Sequence, residues 1–218
     1  MTFDMDFIKR ACHNERELIE HFRKKLKAHH HRQYIYTQTE WLEAAVLIPI
    51  FFKNGEAHIL FTKRTEALKH HKGQISFPGG KADDDDENLE RTAIRETCEE
   101  IGLRNDDIAL LGKTDIFLTN THFLVQPYVG FFTYPYAFNV NAGEIDRLIE
   151  VPLLHLIDET NFKIKFIDFK DQLWPVHYYY YNEDIIWGVT GFLLSNFLNI
   201  VFDLNKKLYI KPNEVKSK

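Results

Sequence analysis

The chain has 218 residues, is 44% hydrophobic and carries a formal net charge of −5. This length suits one domain of ordinary size, with or without extensions. A core of that size needs no disulfide bonds or structural metals for stability. The acidic balance argues against wholesale nucleic-acid binding. Its two cysteines, Cys12 and Cys98, are too few for a disulfide framework and favour a reducing compartment.

The sequence also disfavours secretion and membrane insertion. Its first twenty residues lack the basic-then-apolar order of a signal peptide. The apolar run at 44–52 contains Pro49 and is shorter than the roughly 18 residues that a spanning helix needs. We therefore expect a soluble cytoplasmic protein that binds neither membrane nor nucleic acid.

The first predicted element is an amphipathic helix over residues 14–30, with the three histidines at 29–31 at its exposed end. Its apolar side chains recur at steps of three and four residues, at Leu18, Ile19, Phe22 and Leu26. We interpret residues 1–35 as a helical extension that packs on the main domain or on a partner chain. A homodimer is therefore left open.

The next predicted elements are two strands, at 44–52 and 57–62, on either side of Asn54-Gly55. That dipeptide is typical of a β-hairpin turn. Residues 74–78 look extended and lead into Gly79-Gly80. The remaining pattern predicts strands at 108–118, 122–132, 162–168 and 175–181, and helices at 88–101, 143–148 and 188–201.

This order of elements indicates the fold class. Strands interrupted by two or three helices, with an early hairpin, favour a mixed sheet between helical layers. We therefore predict an α/β protein, an α/β/α sandwich built around a mixed β-sheet. Its domain is assigned to residues 36–205 and is followed by a tail at 206–218.

Residues 95–102, RETCEEIG, place three glutamates on one side of the predicted helix at 88–101. Glu96, Glu99 and Glu100 are three and four residues apart, so they share a face and repel one another by roughly 0.2–0.5 kcal/mol per pair. Ile94, Thr97, Cys98 and Ile101 are predicted to form the opposite, packed side. A hard divalent cation such as Mg²⁺ prefers oxygen ligands and would relieve this repulsion. The alternative is an ordinary solvated acidic face.

The whole segment 79–103, GGKADDDDENLERTAIRETCEEIGL, resembles the Nudix box, G-x5-E-x7-R-E-U-x-E-E-x-G-U, in which U is aliphatic. Thr97 stands where the pattern has its first U. The stretch from Gly80 to Glu87 is one residue longer than the pattern, so Asp86 and Glu87 compete for its first acidic position. The second half of the pattern matches at Arg95, Glu96, Glu99, Glu100, Gly102 and Leu103.

This resemblance implies a Nudix-type α/β/α fold and metal-dependent hydrolysis of a pyrophosphate, with Mg²⁺ or Mn²⁺ as cofactor. It implies that Glu96 and Glu100 are the principal metal ligands, with Glu99 as a further ligand or a water-positioning group. Arg95 is expected on a different part of the helix face, as the structural partner of the early acid. The catalytic base is either Glu100 or a carboxylate of a later loop, for which Glu144 is the best candidate. A capping or solvated role for Glu144 is equally open.

A second resemblance lies just upstream. Residues 60–80, LFTKRTEALKHHKGQISFPGG, are similar to the motif L-L-T-x-R-[S/A]-x3-R-x3-G-x3-F-P-G-G of the coenzyme A pyrophosphatase branch of Nudix hydrolases. The sequence departs from it at Phe61, Thr65 and Lys69, and a lysine lacks the planar fork with which arginine grips phosphate. The motif matches at Leu60, Thr62, Arg64, Gly73, Phe77, Pro78, Gly79 and Gly80.

This branch resemblance implies coenzyme A, or a derivative, as the small-molecule substrate. The residues assigned to bind it are Arg64, Lys69, Gly73, Gly79 and Gly80. A basic stretch beside a metal site suits a substrate that carries a pyrophosphate and a further ribose phosphate. The same fold acting on ADP-ribose, a dinucleoside polyphosphate or a capped RNA end remains an alternative. A non-catalytic Nudix-like binding protein is the alternative from another class.

Overall fold

The protein is described by a computed structural model that covers residues 4–31, 41–67, 72–169, 172–204 and 206. The central sheet contains the hairpin that Asn54-Gly55 predicts. Strands β1 (Leu42–Lys53) and β2 (Glu56–Arg64) pair antiparallel. Asn54 and Gly55 have φ angles of 53° and 77°, the left-handed conformation that a tight hairpin turn requires. The predicted hairpin is confirmed.

The main sheet has eight strands and mixed direction. Strand β1 lies parallel to β7, whereas it pairs antiparallel with β2 and β4. The main path runs β3-β2-β1-β7-β5, with β4 on β1, β6 on β7 and β8 on β2. The remaining strands of this sheet are β3 (Ile75–Ser76), β4 (Gly79–Lys81), β5 (Ala109–Lys113), β6 (Phe117–Leu118), β7 (Phe123–Phe131) and β8 (Ile145–Pro152).

Helices cover both faces of this sheet. Successive residues of a strand point to opposite faces. Phe51 of β1 packs in a cluster with Ile101 at the end of helix α3 (Leu89–Ile101), while its neighbour Ile50 belongs to the cluster of the other helical layer. That layer is formed by α1 (Met5–Ala11), α2 (Glu15–Ala28) and α5 (Gly188–Phe202). The predicted α/β/α arrangement with a mixed sheet is confirmed.

A second, smaller sheet completes the fold. Its order is β11-β10-β9, with both pairings antiparallel. The short helix α4 (Leu153–Ile157) connects β8 to this sheet, and α5 packs on β10. The strands are β9 (Phe162–Phe169), β10 (Gln172–Tyr181) and β11 (Asp184–Trp187).

Two predicted helices differ from the structure. The helix expected at 143–148 is wrong, because residues 145–152 form β8 and pair with β2. Ile145, Ile149 and Val151 are buried in that sheet, and this tertiary pairing outweighs local helical preference. The helix expected at 14–30 ends at Ala28, is capped by Asn14, and is preceded by α1, which the pattern did not predict.

The N-terminal helices share the core of the sheet. Ile8 of α1 and Leu18 and Phe22 of α2 are fully buried in the cluster that contains Ile48 and Ile50. The boundary at residue 35 lies outside the described residues, so the division into 1–35, 36–205 and 206–218 stays a prediction. None of the helices in the described ranges combines the length and apolar character needed to span a membrane.

Candidate active site

Helix α3 carries the three glutamates and has well-defined ends. The Asn88 side chain caps its N-terminus by accepting hydrogen bonds from the N–H groups of Glu90 and Arg91. Gly102 ends it with a left-handed φ of 73°. The packed side differs from the prediction at two positions, since Cys98 is exposed and Glu100 is buried. The helix therefore turns one of its three acids inward.

The three carboxylates lie in different environments. The side chain of Glu100 is 4% exposed, that of Glu96 is 20% exposed and that of Glu99 is 57% exposed. A solvated acidic face would leave all three in water. The burial of Glu100 instead indicates a site, because an ionised carboxylate is costly to bury without a charged partner.

Glu100 contacts the two segments of the upstream motif. Its Oε1 lies 3.4 Å from Nη1 of Arg64, and its Oε2 accepts a hydrogen bond of 3.3 Å from the N–H of Gly79. Burial raises the pKa of Glu100 to about 8, although Arg64 and the Gly79 N–H oppose that rise. The negative charges of Glu144 and Glu96 raise it further. A bound cation would favour the ionised form.

Arg64 ends strand β2 where the pairing of β2 with β8 is irregular, between Lys63 and Arg64. Its Nε atom is buried and has no hydrogen-bond partner within the described part of the chain. Buried donors are nearly always satisfied in folded proteins. Arg64 therefore offers a spare N–H donor next to the Glu100 carboxylate, as an anionic ligand would require.

Gly79 and Gly80 let strand β4 approach both β1 and α3 closely. Gly79 has a φ of 150°, and a Cβ there would lie 2.6 Å from the Cα of Val46. A Cβ on Gly80 would lie 2.5 Å from the Glu96 carboxylate. Gly73 has a φ of 61° and lies in the turn before β3. Lys69 lies outside the described residues.

Arg95 has a more central position than the sequence predicts. Its Nη1 donates hydrogen bonds of 2.9 Å to Glu96 and 3.1 Å to Glu99. The expectation that it points to a different part of the helix face is therefore wrong. Its other nitrogens, Nε and Nη2, donate to Asp86 at 3.0 and 2.9 Å. One guanidinium thus joins the acid loop to two of the three glutamates.

The early acidic position, open between Asp86 and Glu87 in the sequence, is filled by Asp86. Its side chain is 7% exposed and also accepts a hydrogen bond of 2.8 Å from the Thr92 hydroxyl. The hydrogen bond from Arg95 holds the pKa of Asp86 well below its usual range. Glu87 is 79% exposed, and its contact is with Arg91 at 3.9 Å.

A later loop brings Glu144 towards the same carboxylates. The N–H of Asn141 donates to the carbonyl of Glu100 at 2.9 Å, and the carbonyl of Glu144 accepts from the N–H of Thr65 at the same distance. The charge of Glu144 raises the pKa of both Glu96 and Glu100. Sequence reasoning did not single out Asn141, although an Asn before Ala-Gly is a turn signal that could have drawn attention to it.

The side chains gathered here fit a hard divalent cation, because they are carboxylates. The ionised form of the buried one, Glu100, is disfavoured by burial and by its acidic neighbours, and a cation would offset this. The glutamates do not yet surround a common point. Within the described ranges, one group of three potential ligands has its atoms within 4.8 Å of one another. This group is His29, His31 and Asp115, and it lies away from the glutamates of α3. Arg95 occupies the space between Glu96 and Glu99, so cation binding there requires its guanidinium to shift.

Comparison with known proteins identifies the family to which the chain belongs. The family model described as NUDIX domain matches residues 41–168. A protein of Photorhabdus laumondii named "Uncharacterized Nudix hydrolase NudL" is 32% identical over 151 residues, which cover 69% of this chain and 80% of that protein. A protein of the same name from Yersinia pestis is 34% identical over 153 residues, covering 70% and 76%. The chain therefore belongs to the NUDIX family and is a Nudix hydrolase.

Solved structures with some similarity include two proteins at 18% identity and a TM-score of 0.45. One is an Ap4A hydrolase of C. elegans in a binary complex, which matches 53% of this chain and 83% of that chain. The other is the NUDIX domain of Shewanella oneidensis NrtR, complexed with ADP ribose, which matches 55% of this chain and 78% of that chain.

Proposed function

We propose that this Nudix hydrolase cleaves the pyrophosphate bond of coenzyme A or its derivatives, with Mg²⁺ or Mn²⁺ as cofactor. The expected products are adenosine 3′,5′-bisphosphate and 4′-phosphopantetheine, or its acyl form. The contact between Arg64 and Glu100 is the observation that carries the proposal. It places a residue of the coenzyme A-type motif directly against a carboxylate of the Nudix box.

The carboxylates of α3 have separate roles in this proposal. Glu96 and Glu100 hold the cation, and Glu99 is a further ligand or positions water. Glu144 is the candidate general base, since its loop is fixed to the end of α3 through the carbonyl of Glu100. A divalent ion, when bound, supplies a Lewis acid that neutralises phosphate charge and lowers the pKa of water.

Arg95 is a positioning residue. Its bidentate contact with Asp86 fixes the acid loop against α3, and its contacts with Glu96 and Glu99 hold both carboxylates near one another. Such an arginine reduces the repulsion between the acids while no cation is bound. Its release from Glu96 would then accompany binding of the cation.

The substrate is held by the upstream motif. The unpartnered Nε of Arg64 is suited to a phosphate oxygen, because a guanidinium donates in a planar fork. Gly79 and Gly80 leave the backbone beside Glu96 and Glu100 free of side chains. Lys63, the neighbour of Arg64, contacts Asp184 at 3.4 Å, so its charge is already paired and we do not assign it to the substrate. Lys69 is proposed as a second phosphate contact from the motif alone.

A substrate panel tests the proposal. Hydrolysis rates of coenzyme A, acetyl-coenzyme A, ADP-ribose and diadenosine polyphosphates are compared at equal Mg²⁺ and Mn²⁺ concentrations. We expect the coenzyme A compounds to have the highest kcat/KM, and the Glu100→Gln variant to lose activity on every substrate. Cleavage of ADP-ribose or a dinucleoside polyphosphate without cleavage of coenzyme A would refute the branch assignment and keep the enzyme class.

A further inference from the structure

A second group of metal-ligating side chains lies between the N-terminal helices and β5. His29 caps the C-terminus of α2 in an extended conformation, with φ of −70° and ψ of 129°. Alternate residues of an extended chain point to the same side. His29 and His31 accordingly approach Asp115, whereas the intervening His30 is exposed. Asp115 follows β5 and is only 5% exposed.

The three side chains converge on one point. One potential ligand atom from each of His29, His31 and Asp115 lies within 4.8 Å of the others. The Oδ1 atom of Asp115 is 2.8 Å from Nε2 of His29 and 3.7 Å from Nδ1 of His31. The two imidazole rings meet edge to face, with centroids 5.1 Å apart.

We propose that His29, His31 and Asp115 form a binding site for a divalent transition metal of the Zn²⁺ class, which joins the N-terminal helices to the hydrolase fold. Two imidazoles and one carboxylate are a ligand set that zinc accepts with a fourth position left for water or another ligand. The same set also suits other first-row metals. It differs from the carboxylates of α3, which suit Mg²⁺.

The distances are compatible with such an ion. Zinc–nitrogen and zinc–oxygen bonds of about 2.0–2.1 Å place neighbouring ligand atoms of a tetrahedral site about 3.3 Å apart. The observed separations of 2.8 and 3.7 Å lie on either side of that value. The ligand atoms of the two imidazoles are likewise no more than 4.8 Å apart, so rearrangement of side chains over short distances would bring the three atoms to a common ion.

The backbone around the cluster is held in place by packing. Leu26, in the last turn of α2, packs against Gly112 of β5, where a Cβ would lie 2.8 Å from the Leu26 Cβ. Gly112 lies at an irregularity in the pairing of β5 with β7 and has a φ of 150°. This close contact fixes the end of α2, and hence His29, relative to Asp115.

The cluster also opens to solvent. His29 and His31 line a cleft of about 480 Å³ between α2 and β5, which gives a fourth ligand access. Arg23, Lys27 and Lys113 line the same cleft and are exposed. Their charges oppose a cation weakly, because water and salt screen exposed groups, and they favour an anionic fourth ligand.

Without a metal, the same contacts would be a hydrogen-bonded anchor between α2 and Asp115. A measurement of metal binding distinguishes a metal site from a hydrogen-bonded anchor. Zn²⁺ uptake by the full chain is measured by equilibrium dialysis and metal analysis in excess Mg²⁺, and Co²⁺ is used as a spectroscopic probe. The wild type is compared with His31→Gln, Asp115→Asn and the matched control His30→Gln. The Glu100→Gln variant controls for uptake by the carboxylates of α3.

We expect the wild type, His30→Gln and Glu100→Gln each to bind one equivalent of Zn²⁺ and to give a Co²⁺ absorption band. His31→Gln and Asp115→Asn should weaken Zn²⁺ binding more than about 100-fold, because loss of outer-shell partners alone costs 10–100-fold. Their Mg²⁺-dependent hydrolysis and circular dichroism should stay unchanged. Equal Zn²⁺ affinity in His31→Gln and the wild type, or no uptake by the wild type, would overturn the site without affecting the proposed hydrolase function.

Discussion

The guanidinium of Arg64 lies 3.4 Å from the carboxylate of Glu100 and joins the end of β2 to the last turn of α3. These residues are 36 positions apart in the sequence. The contact gives the buried Glu100 carboxylate a charged partner. It also brings the guanidinium that we propose to bind phosphate next to the carboxylates that we propose to bind the metal.

The first prediction concerns Glu100 itself. Glu100→Gln keeps the shape and the Gly79 contact but removes the negative charge that a cation needs. We expect kcat to fall more than about 100-fold, because even outer-shell metal partners are worth 10–100-fold. Steady-state kinetics with varied Mg²⁺, together with circular dichroism, checks this. Glu87→Gln is the matched control at an exposed acid and should retain full activity.

The second prediction concerns substrate recognition by Arg64. Arg64→Lys keeps the positive charge but loses the planar guanidinium that can donate two hydrogen bonds to one phosphate. We therefore expect kcat/KM for coenzyme A to fall about 10–100-fold, because a hydrogen bond to a charged group contributes roughly 1.5–3 kcal/mol. Dephospho-coenzyme A, which lacks the ribose phosphate, should be a poorer substrate of the wild type. Arg104→Lys, at a mostly exposed side chain that pairs with Asp107, is the control. An unchanged kcat/KM in Arg64→Lys would remove Arg64 from the binding site.

The third prediction is a dependence of stability on pH through Asp86. Arg95 lowers the pKa of Asp86 in the folded protein. The ionised carboxylate therefore stabilises the fold at pH values above about 3.9, its pKa in the unfolded chain. This stabilisation is lost as the pH falls towards the lower pKa of the folded protein. Asp86→Asn should therefore be less stable at pH 7 by about 1–3 kcal/mol. Its stability should also fall less steeply below pH 4.

Urea unfolding at pH 7, 5 and 3 measures both effects. Glu87→Gln provides the comparison and should change stability by less than about 0.5 kcal/mol, because its carboxylate is largely in water. If Glu87→Gln proved the more destabilising substitution, then the assignment of Asp86 to the early acidic position would be incorrect.

The fourth prediction concerns the close approach at Gly79. An alanine there would place a Cβ 2.6 Å from the Cα of Val46, at a φ of 150°. Overpacking of this kind typically costs about 1–3 kcal/mol, and the backbone shift would also disturb the N–H that Glu100 accepts. Gly79→Ala should lower both the thermal midpoint and kcat. Gly55→Ala, at a positive φ with open space around it, should lower the midpoint alone.

Local patterns predicted most of the elements that surround the site. The Asn54-Gly55 turn, the periodicity of α3 and its glycine stop are signals within a few residues of one another, and each appears in the structure. β8 was missed for the opposite reason. Residues 145–152 are strand because they pair with β2, more than 80 residues earlier in the chain, and that pairing leaves little local signal.

The candidate site likewise combines features that local sequence predicts with features that depend on tertiary packing. Residue types and spacing pointed to Glu96, Glu99 and Glu100, but not to their unequal burial, which depends on packing of α3 against β1 and β4. The choice of Asp86 over Glu87 depends on which carboxylate faces Arg95, and sequence spacing admits both. The His29, His31 and Asp115 cluster joins residues 86 positions apart, so only the docking of α2 on β5 reveals it.

Mass analysis of the products formed from coenzyme A and Mg²⁺ tests the central proposal most directly. Reaction in ¹⁸O-labelled water also identifies which phosphorus is attacked. We expect adenosine 3′,5′-bisphosphate and 4′-phosphopantetheine in equal amounts, with one ¹⁸O in one of the two products. Glu100→Gln should form them more than about 100-fold more slowly. Intact coenzyme A after prolonged incubation with both Mg²⁺ and Mn²⁺, under conditions in which ADP-ribose is cleaved, would contradict the account.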